Sequence, residues 1–242
     1  MMPKVTYFTS NGINNSTECL VETRYGKNNE ENMRCINKIV NYINDLKWSL
    51  IKIIYITHGW TRGDPDDFVD MKDALLKRYG NAEKVVVGII HWKNAAARHS
   101  TNSSMQRSKI NVTLEKIIMC CKQDILGGVG FSTTYGQASV NTWTVGNVMG
   151  YLHENIIRRQ DSSNTETYCI GHSLGSHVCG FFGKIVKELL GQKYRLQKII
   201  GLDPDGPIFD DPLHNPSLRL NKEDAKSVET ILTNTETLGF ST

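Results

Sequence analysis

The pentapeptide Gly171-His172-Ser173-Leu174-Gly175 sets one hydroxyl between two glycines. Gly-x-Ser-x-Gly is the spacing of a serine held on a tight turn between a strand and a helix. The chemistry it permits is acyl transfer: the serine Oγ attacks an ester or amide carbonyl, and water then hydrolyses the acyl-enzyme. A helix opening at Leu174 would aim its positive end at the charge that develops. The Leu174 backbone N–H is then one natural oxyanion donor, and a second is expected from the loop after an earlier strand. "YITHGWTRG" (55–63) supplies such a loop, with Trp60 offering its N–H and Gly59 allowing the turn. A carboxylate should follow the serine in the chain. Asp203 ends the apolar run "LQKIIGLD" (196–203), and Pro204 helps to stop a strand there. Its role would be to hold a histidine's tautomer and balance its charge, with Asp205 as the second choice. The chain order serine, acid, histidine leaves His214 of the seven histidines, in the proline-rich loop "DDPLHNPSLRL". The base is otherwise unassigned.

These residues need a scaffold of strands and helices. "VTYFT" (5–9), "LIKIIYIT" (50–57), "KVVVGII" (84–90), "ETYCIG" (166–171) and "LQKIIGLD" (196–203) read as strands. They are nearly continuous in Ile, Val and Leu, as in strands covered on both faces. Residues 30–47, 66–79, 138–159 and 174–190 read as helices. In the last, Val178, Phe181, Phe182, Ile185, Val186 and Leu189 form one stripe. The alternation predicts a single α/β domain over 1–242, with a mostly parallel sheet and helices on both faces. Residues 98–132 interrupt it. A polar run is followed by Leu114, Ile117, Ile118, Cys121 and Ile125 at helical spacing, and "GGVG" ends the segment. This insertion reads as a surface helix docked on the core, or alternatively as a flap over a lipid site.

Composition excludes several classes. A net charge of +3 over 242 residues gives no basis for nucleic-acid binding. No apolar run reaches the length of a membrane span. No Cys/His spacing resembles a zinc site, so no metal is expected. The first residues, "MMPKVTYFTS", lack the apolar stretch of a secretory leader. The chain therefore either stays inside the cell or has its true start elsewhere. Six cysteines permit disulfides without demanding them. Cys169 and Cys179 read as small buried hydrophobes, and Cys19 with Cys35 is the pair to test first. Sequons begin at Asn14, Asn15, Asn102 and Asn111 and weakly favour secretion.

Taken together, "HGWTRG", "IHWKNAA" (90–96), "YGQASVNTWTVG" (135–146), "GHSLGSHVCGFFG" (171–183), "IIGLDPDGPIF" (199–209) and "RLNKEDAKSVETILTN" (219–234) resemble the pancreatic lipase family of animal neutral lipases and A1 phospholipases. The blocks stand in the family's order and cover most of the chain. The resemblance implies an α/β-hydrolase fold and hydrolysis of acylglycerols or phospholipids at a lipid–water interface. It also implies an extracellular setting and no chemical cofactor. Carried over, it makes Ser173 the nucleophile, Asp203 the acid, and Trp60 and Leu174 the oxyanion donors. Three positions depart from it: His91 stands where the family usually has Asp, Asp205 where it has Ala, and Leu232 where it has His. The family also continues past the equivalent of "TLGFST" (237–242) into further strands, a lid and the catalytic histidine. The sequence therefore predicts an incomplete lipase core whose exposed sheet edge lowers stability. The alternative is a catalytically inactive lipase-like protein that binds lipid or a partner.

Overall fold

A computed structural model describes residues 3–9, 12–20, 30–45, 50–60, 68–79, 84–96, 133–160, 164–210 and 215–233. Its strands are β1 (Lys4–Thr9), β2 (Gly12–Leu20), β3 (Ile51–Thr57), β4 (Lys84–His91), β5 (Thr165–His172), β6 (Lys198–Leu202) and β7 (Ser227–Ile231). The helices are α1 (Glu30–Asp45), α2 (Val69–Tyr79), α3 (Lys93–Ala96), α4 (Thr133–Arg159) and α5 (Leu174–Leu190). The strands form one sheet in the order β2-β1-β4-β3-β5-β6-β7. The run β4-β3-β5-β6-β7 is parallel, and β1 joins it antiparallel to β4. β2 closes the other side as the antiparallel partner of β1. This is an α/β-hydrolase sheet, as the family resemblance implies, and it is mostly parallel, as the strand–helix alternation predicts.

The strand period of two sorts the core into layers. Ile51, Ile53 and Tyr55 of β3, with Val86 and Ile90 of β4, share a cluster with α1, α4 and α5. Ile54 and Ile56, with Val85, Val87 and Ile89, face α2 through Phe68 and Leu76. Residues one apart thus serve opposite layers, so both faces of β3 and β4 are covered. A polar chain runs through the first layer: Tyr7 Oη lies 3.4 Å from Tyr55 Oη, which lies 3.1 Å from His153 Nδ1. His153 Nε2 then meets Thr167 Oγ1 at 2.9 Å. Each polar group of this series gains a partner.

The expected strands and helices all lie at the predicted places, with differences at their ends. α4 begins at Thr133 rather than at 138, because burial of Tyr135 outweighs the poor helix propensity of Gly136. The strand–helix alternation does not predict β2 or β7. "GINNSTECL" and "SVETI" are polar edge strands without an apolar run; backbone pairing places them, with Val228 of β7 also packed on the core. The 98–132 segment and His214 lie outside the described residues.

One cysteine expectation is corrected. Cys169 and Cys179 are fully buried, as expected, but they are joined to each other in a disulfide across a separation of 10 residues. β5 and α5 run alongside each other around the intervening turn, which brings the two Cα atoms to 5.7 Å, within disulfide reach. Cys35 is also disulfide-bonded; the side chain of Cys19 lies outside the described residues.

Candidate active site

Ser173 occupies the turn between β5 and α5 with φ 54° and ψ −124°. A non-glycine residue there is strained, and the strain is held by flanking structure. Ser173 N donates to Leu202 O at 2.9 Å, and Ser176 N donates to Ser173 O at 2.9 Å. The disulfide ties the strand before the turn to the helix after it. Glycine is required where the chains meet. A Cβ at Gly175 would sit 2.7 Å from both Thr57 O and His58 O. Leu174 opens α5, so its N–H is among those that a helix start leaves without an intrahelical partner. Its side chain is fully buried, which fixes that first turn.

The loop after β3 lies directly on this turn. A Cβ added to Gly59 would stand 2.7 Å from Ser173 Cβ and 3.1 Å from its Oγ. Trp60 follows, its ring edge-on to Tyr135 at 5.2 Å between centroids. His58 braces the loop. Its Nε2 accepts from Trp92 N at 3.0 Å, so the proton is on Nδ1, which donates to Gly59 O at 2.9 Å. Trp92 Nε1 returns a bond to His58 O at 2.8 Å, and the two rings stack. His58 is thus a scaffold for the turn. Trp92, from the "IHW" block, is its partner; periodicity gives no hint of that pairing.

Asp203 also has a positive φ, 42°, at the end of β6. Its backbone N–H donates to Ile231 O at 2.7 Å. Its carboxylate accepts from both the backbone N–H and the hydroxyl of Thr233, just beyond β7. These two donors fix the orientation of the carboxylate. Thr233 escapes sequence reasoning because β7 does.

Asp205 comes nearer to Ser173 than Asp203 does. Ser173 Oγ donates to Asp205 Oδ1 at 3.5 Å, and Tyr135 Oη is bonded to Asp205 Oδ2. Burial pushes the Asp205 carboxyl up to about 7, against the lowering effect of these two bonds. His177, on the first turns of α5, fixes the loop below. Its Nδ1 accepts from Leu220 N at 3.1 Å, so its Nε2–H donates to Asp205 O at 2.8 Å. Burial holds this ring neutral down to about 3, and it stacks on Phe209 with 3.6 Å between centroids. Ser173, Asp205, Gly59 and Tyr135 are therefore gathered at the carboxyl ends of β3, β5 and β6. Asp203 sits at the end of β6 and Leu174 at the mouth of α5.

Among the described residues no group of His, Cys, Asp and Glu could hold a metal ion. None of the described helices is long and apolar enough to cross a membrane.

The lipase family model matches residues 120–242. Phospholipase A1 1 of Vespa affinis is 33% identical over 210 residues, covering 86% of this chain and 52% of that protein. Phospholipase A1 VesT1.02 of Vespa tropica is 34% identical over 193 residues, covering 78% of this chain and 53% of that protein. Phospholipase A1 of Vespula maculifrons is 29% identical over 216 residues, covering 88% and 60%. The chain spans about half the length of the curated relatives it matches.

Proposed function

The chain belongs to the lipase family, and from that premise we propose that it is a carboxylic ester hydrolase acting on phospholipids or acylglycerols at a lipid–water interface. One observation carries the proposal: Ser173 is strained at φ 54° on the strand–helix turn, with Gly59 pressed against it. In this reading Ser173 Oγ attacks the ester carbonyl. The N–H groups of Leu174 and Trp60 receive the negative charge that forms on the carbonyl oxygen. Asp203, braced by Thr233, orients a histidine that takes the serine proton. His214, the candidate for that histidine in the sequence, lies outside the described residues. Phospholipid is the favoured substrate class, because the relatives are phospholipases A1 by name. An extracellular setting is favoured by the buried Cys169–Cys179 disulfide, since such bonds persist in oxidising compartments.

The test is acyl-chain release from phosphatidylcholine vesicles by the chain and by Ser173→Ala. The expected result is hydrolysis that falls by at least about 10³-fold in the variant. Equal rates would overturn the proposal. Vesicle binding by both proteins without hydrolysis would point instead to an inactive lipid-binding protein.

A further inference from the structure

His177 is fully buried and takes no part in the proton transfers of the proposed reaction. It stands one helical turn beyond Ser173 on α5. Its two ring nitrogens serve two different segments. Nε2–H donates to Asp205 O at 2.8 Å, and Nδ1 accepts from Leu220 N at 3.1 Å. The ring face lies on Phe209, with 3.6 Å between centroids and 12° between planes. One side chain thus holds the loop after β6 at two points and the segment leading to β7 at a third. A protonated ring would turn a second N–H against that of Leu220, so the arrangement needs the neutral imidazole with its proton on Nε2. Burial, followed by the charges of Lys184 and Arg219, outweighs the Asp205 bond and keeps the ring in that form down to about 3.

The loop needs such a hold. It carries two non-glycine residues at positive φ, Asp203 at 42° and Ile208 at 74°. The second is β-branched, for which this region is an outlier. Backbone of this kind persists only where its surroundings over-determine it. Inside the loop, Phe209 N and Asp210 N donate to Gly206 O at 2.9 and 2.8 Å, and Arg219 Nη1 donates to Phe209 O at 2.9 Å. The Thr233 contacts grip the Asp203 carboxylate from the end of β7. The bond from His177 comes from α5, the helix with Ser173 at its mouth.

Resting on the assignment of Ser173 as nucleophile and Asp203 as acid, we propose that His177 is a positioning residue that sets the span between them, its Nε2–H bond to Asp205 O holding the loop of the acid against the helix of the nucleophile. A base histidine must meet Ser173 with one nitrogen and Asp203 with the other, so it tolerates little change in that span. The Leu220 bond serves the fold alone.

The two nitrogens can be removed one at a time. The amide of Asn falls where Nδ1 lies, and that of Gln where Nε2 lies. His177→Asn keeps an acceptor for Leu220 N and loses the donor to Asp205 O. His177→Gln keeps the donor and loses the acceptor. Both lose the stack on Phe209, so that loss cancels in the comparison. The experiment measures turnover of a short-chain ester by the full chain and both variants, the rate at which a fluorophosphonate probe labels Ser173, and thermal melting. Both variants should melt below wild type. His177→Asn should lower kcat and the labelling rate by about 10²-fold with KM unchanged. His177→Gln should stay within about 3-fold of wild type in both. Equal losses in the two variants, or wild-type kcat in His177→Asn, overturn the proposal and leave Ser173 as nucleophile. A loss above about 10-fold in His177→Gln overturns it even if His177→Asn does not fold. No wild-type labelling of Ser173 overturns the reading of Ser173 as well.

Discussion

Asp203 and Asp205 stand two residues apart and live in different environments. Asp203 takes two donors from Thr233, so its charge is compensated where it is formed. Asp205 is buried, and its bonds to Tyr135 and Ser173 only partly offset the loss of water. Two carboxyls held so differently can serve different parts of one site. The division makes Thr233 a positioning residue for Asp203. Thr233→Val removes the hydroxyl donor and keeps the backbone one. It is expected to lower kcat on a short-chain ester by about 10-fold while leaving KM unchanged, the pattern of an interaction made in the transition state. Steady-state kinetics of the variant beside wild type checks this. A matched rise in KM would mean that Thr233 serves binding instead.

At the scale of elements, the site depends on how closely the β3 loop approaches the turn before α5. Gly59→Ala places a methyl group 2.7 Å from Ser173 Cβ, and both sides of the contact are anchored, one by His58 and Trp92, the other by the disulfide. Neither can give way cheaply. The variant is expected to lose about 1–3 kcal/mol of stability and more than about 10²-fold in activity. Thermal melts and ester turnover measure the two losses separately. The same elements show what a sequence can reveal. Ser173, Leu174 and Gly59 are legible because a strand–turn–helix needs glycine and serine at set spacings. The central strands are legible because burial on both faces leaves them nearly continuous in Ile and Val. Tyr135 and Thr233 escape because each acts through a contact between distant segments, and Asp205 is legible only as a second choice to Asp203. Tyr135 lies in a helical turn that Gly136 disguises, and Thr233 follows a polar edge strand. The disulfide is illegible for a related reason: spacing of 10 residues means nothing until β5 and α5 are known to lie side by side.

For the molecule as a whole, buried titratable groups set the response to pH. His153 and His177 are both held neutral by burial, down to about 3 against the ordinary 6.5. Between those values the unfolded chain binds more protons than the folded one. The stability they contribute is therefore present above about pH 6.5 and lost as pH falls toward 3. Asp205 works in the opposite sense. Its folded value is raised, so its contribution is full below about 4 and is lost as pH rises through about 7. Two histidines outweigh one carboxyl, and Tm is expected to drop as pH falls from about 7 to about 5. His153→Gln should have a lower Tm at neutral pH, because the Tyr55 and Thr167 bonds are disturbed, together with a shallower acid slope. Calorimetry across that range tests it; an unchanged slope would mean that His153 titrates normally. The sheet has its own exposure: β7 pairs with β6 on one side, and Ile231 is 54% exposed there.

The disulfide between Cys169 and Cys179 reaches beyond the geometry of the turn. Proteins open in cooperative units, and a strained segment is an obvious place for one to begin. Here the residues on either side of Ser173 are covalently closed into one loop whose strand belongs to the middle of the sheet. Residues 170–176 cannot fray alone; their amides should exchange with solvent only when the sheet itself opens. The nucleophile's conformation is then as long-lived as the fold, and reduction of the bond would set it free to relax first.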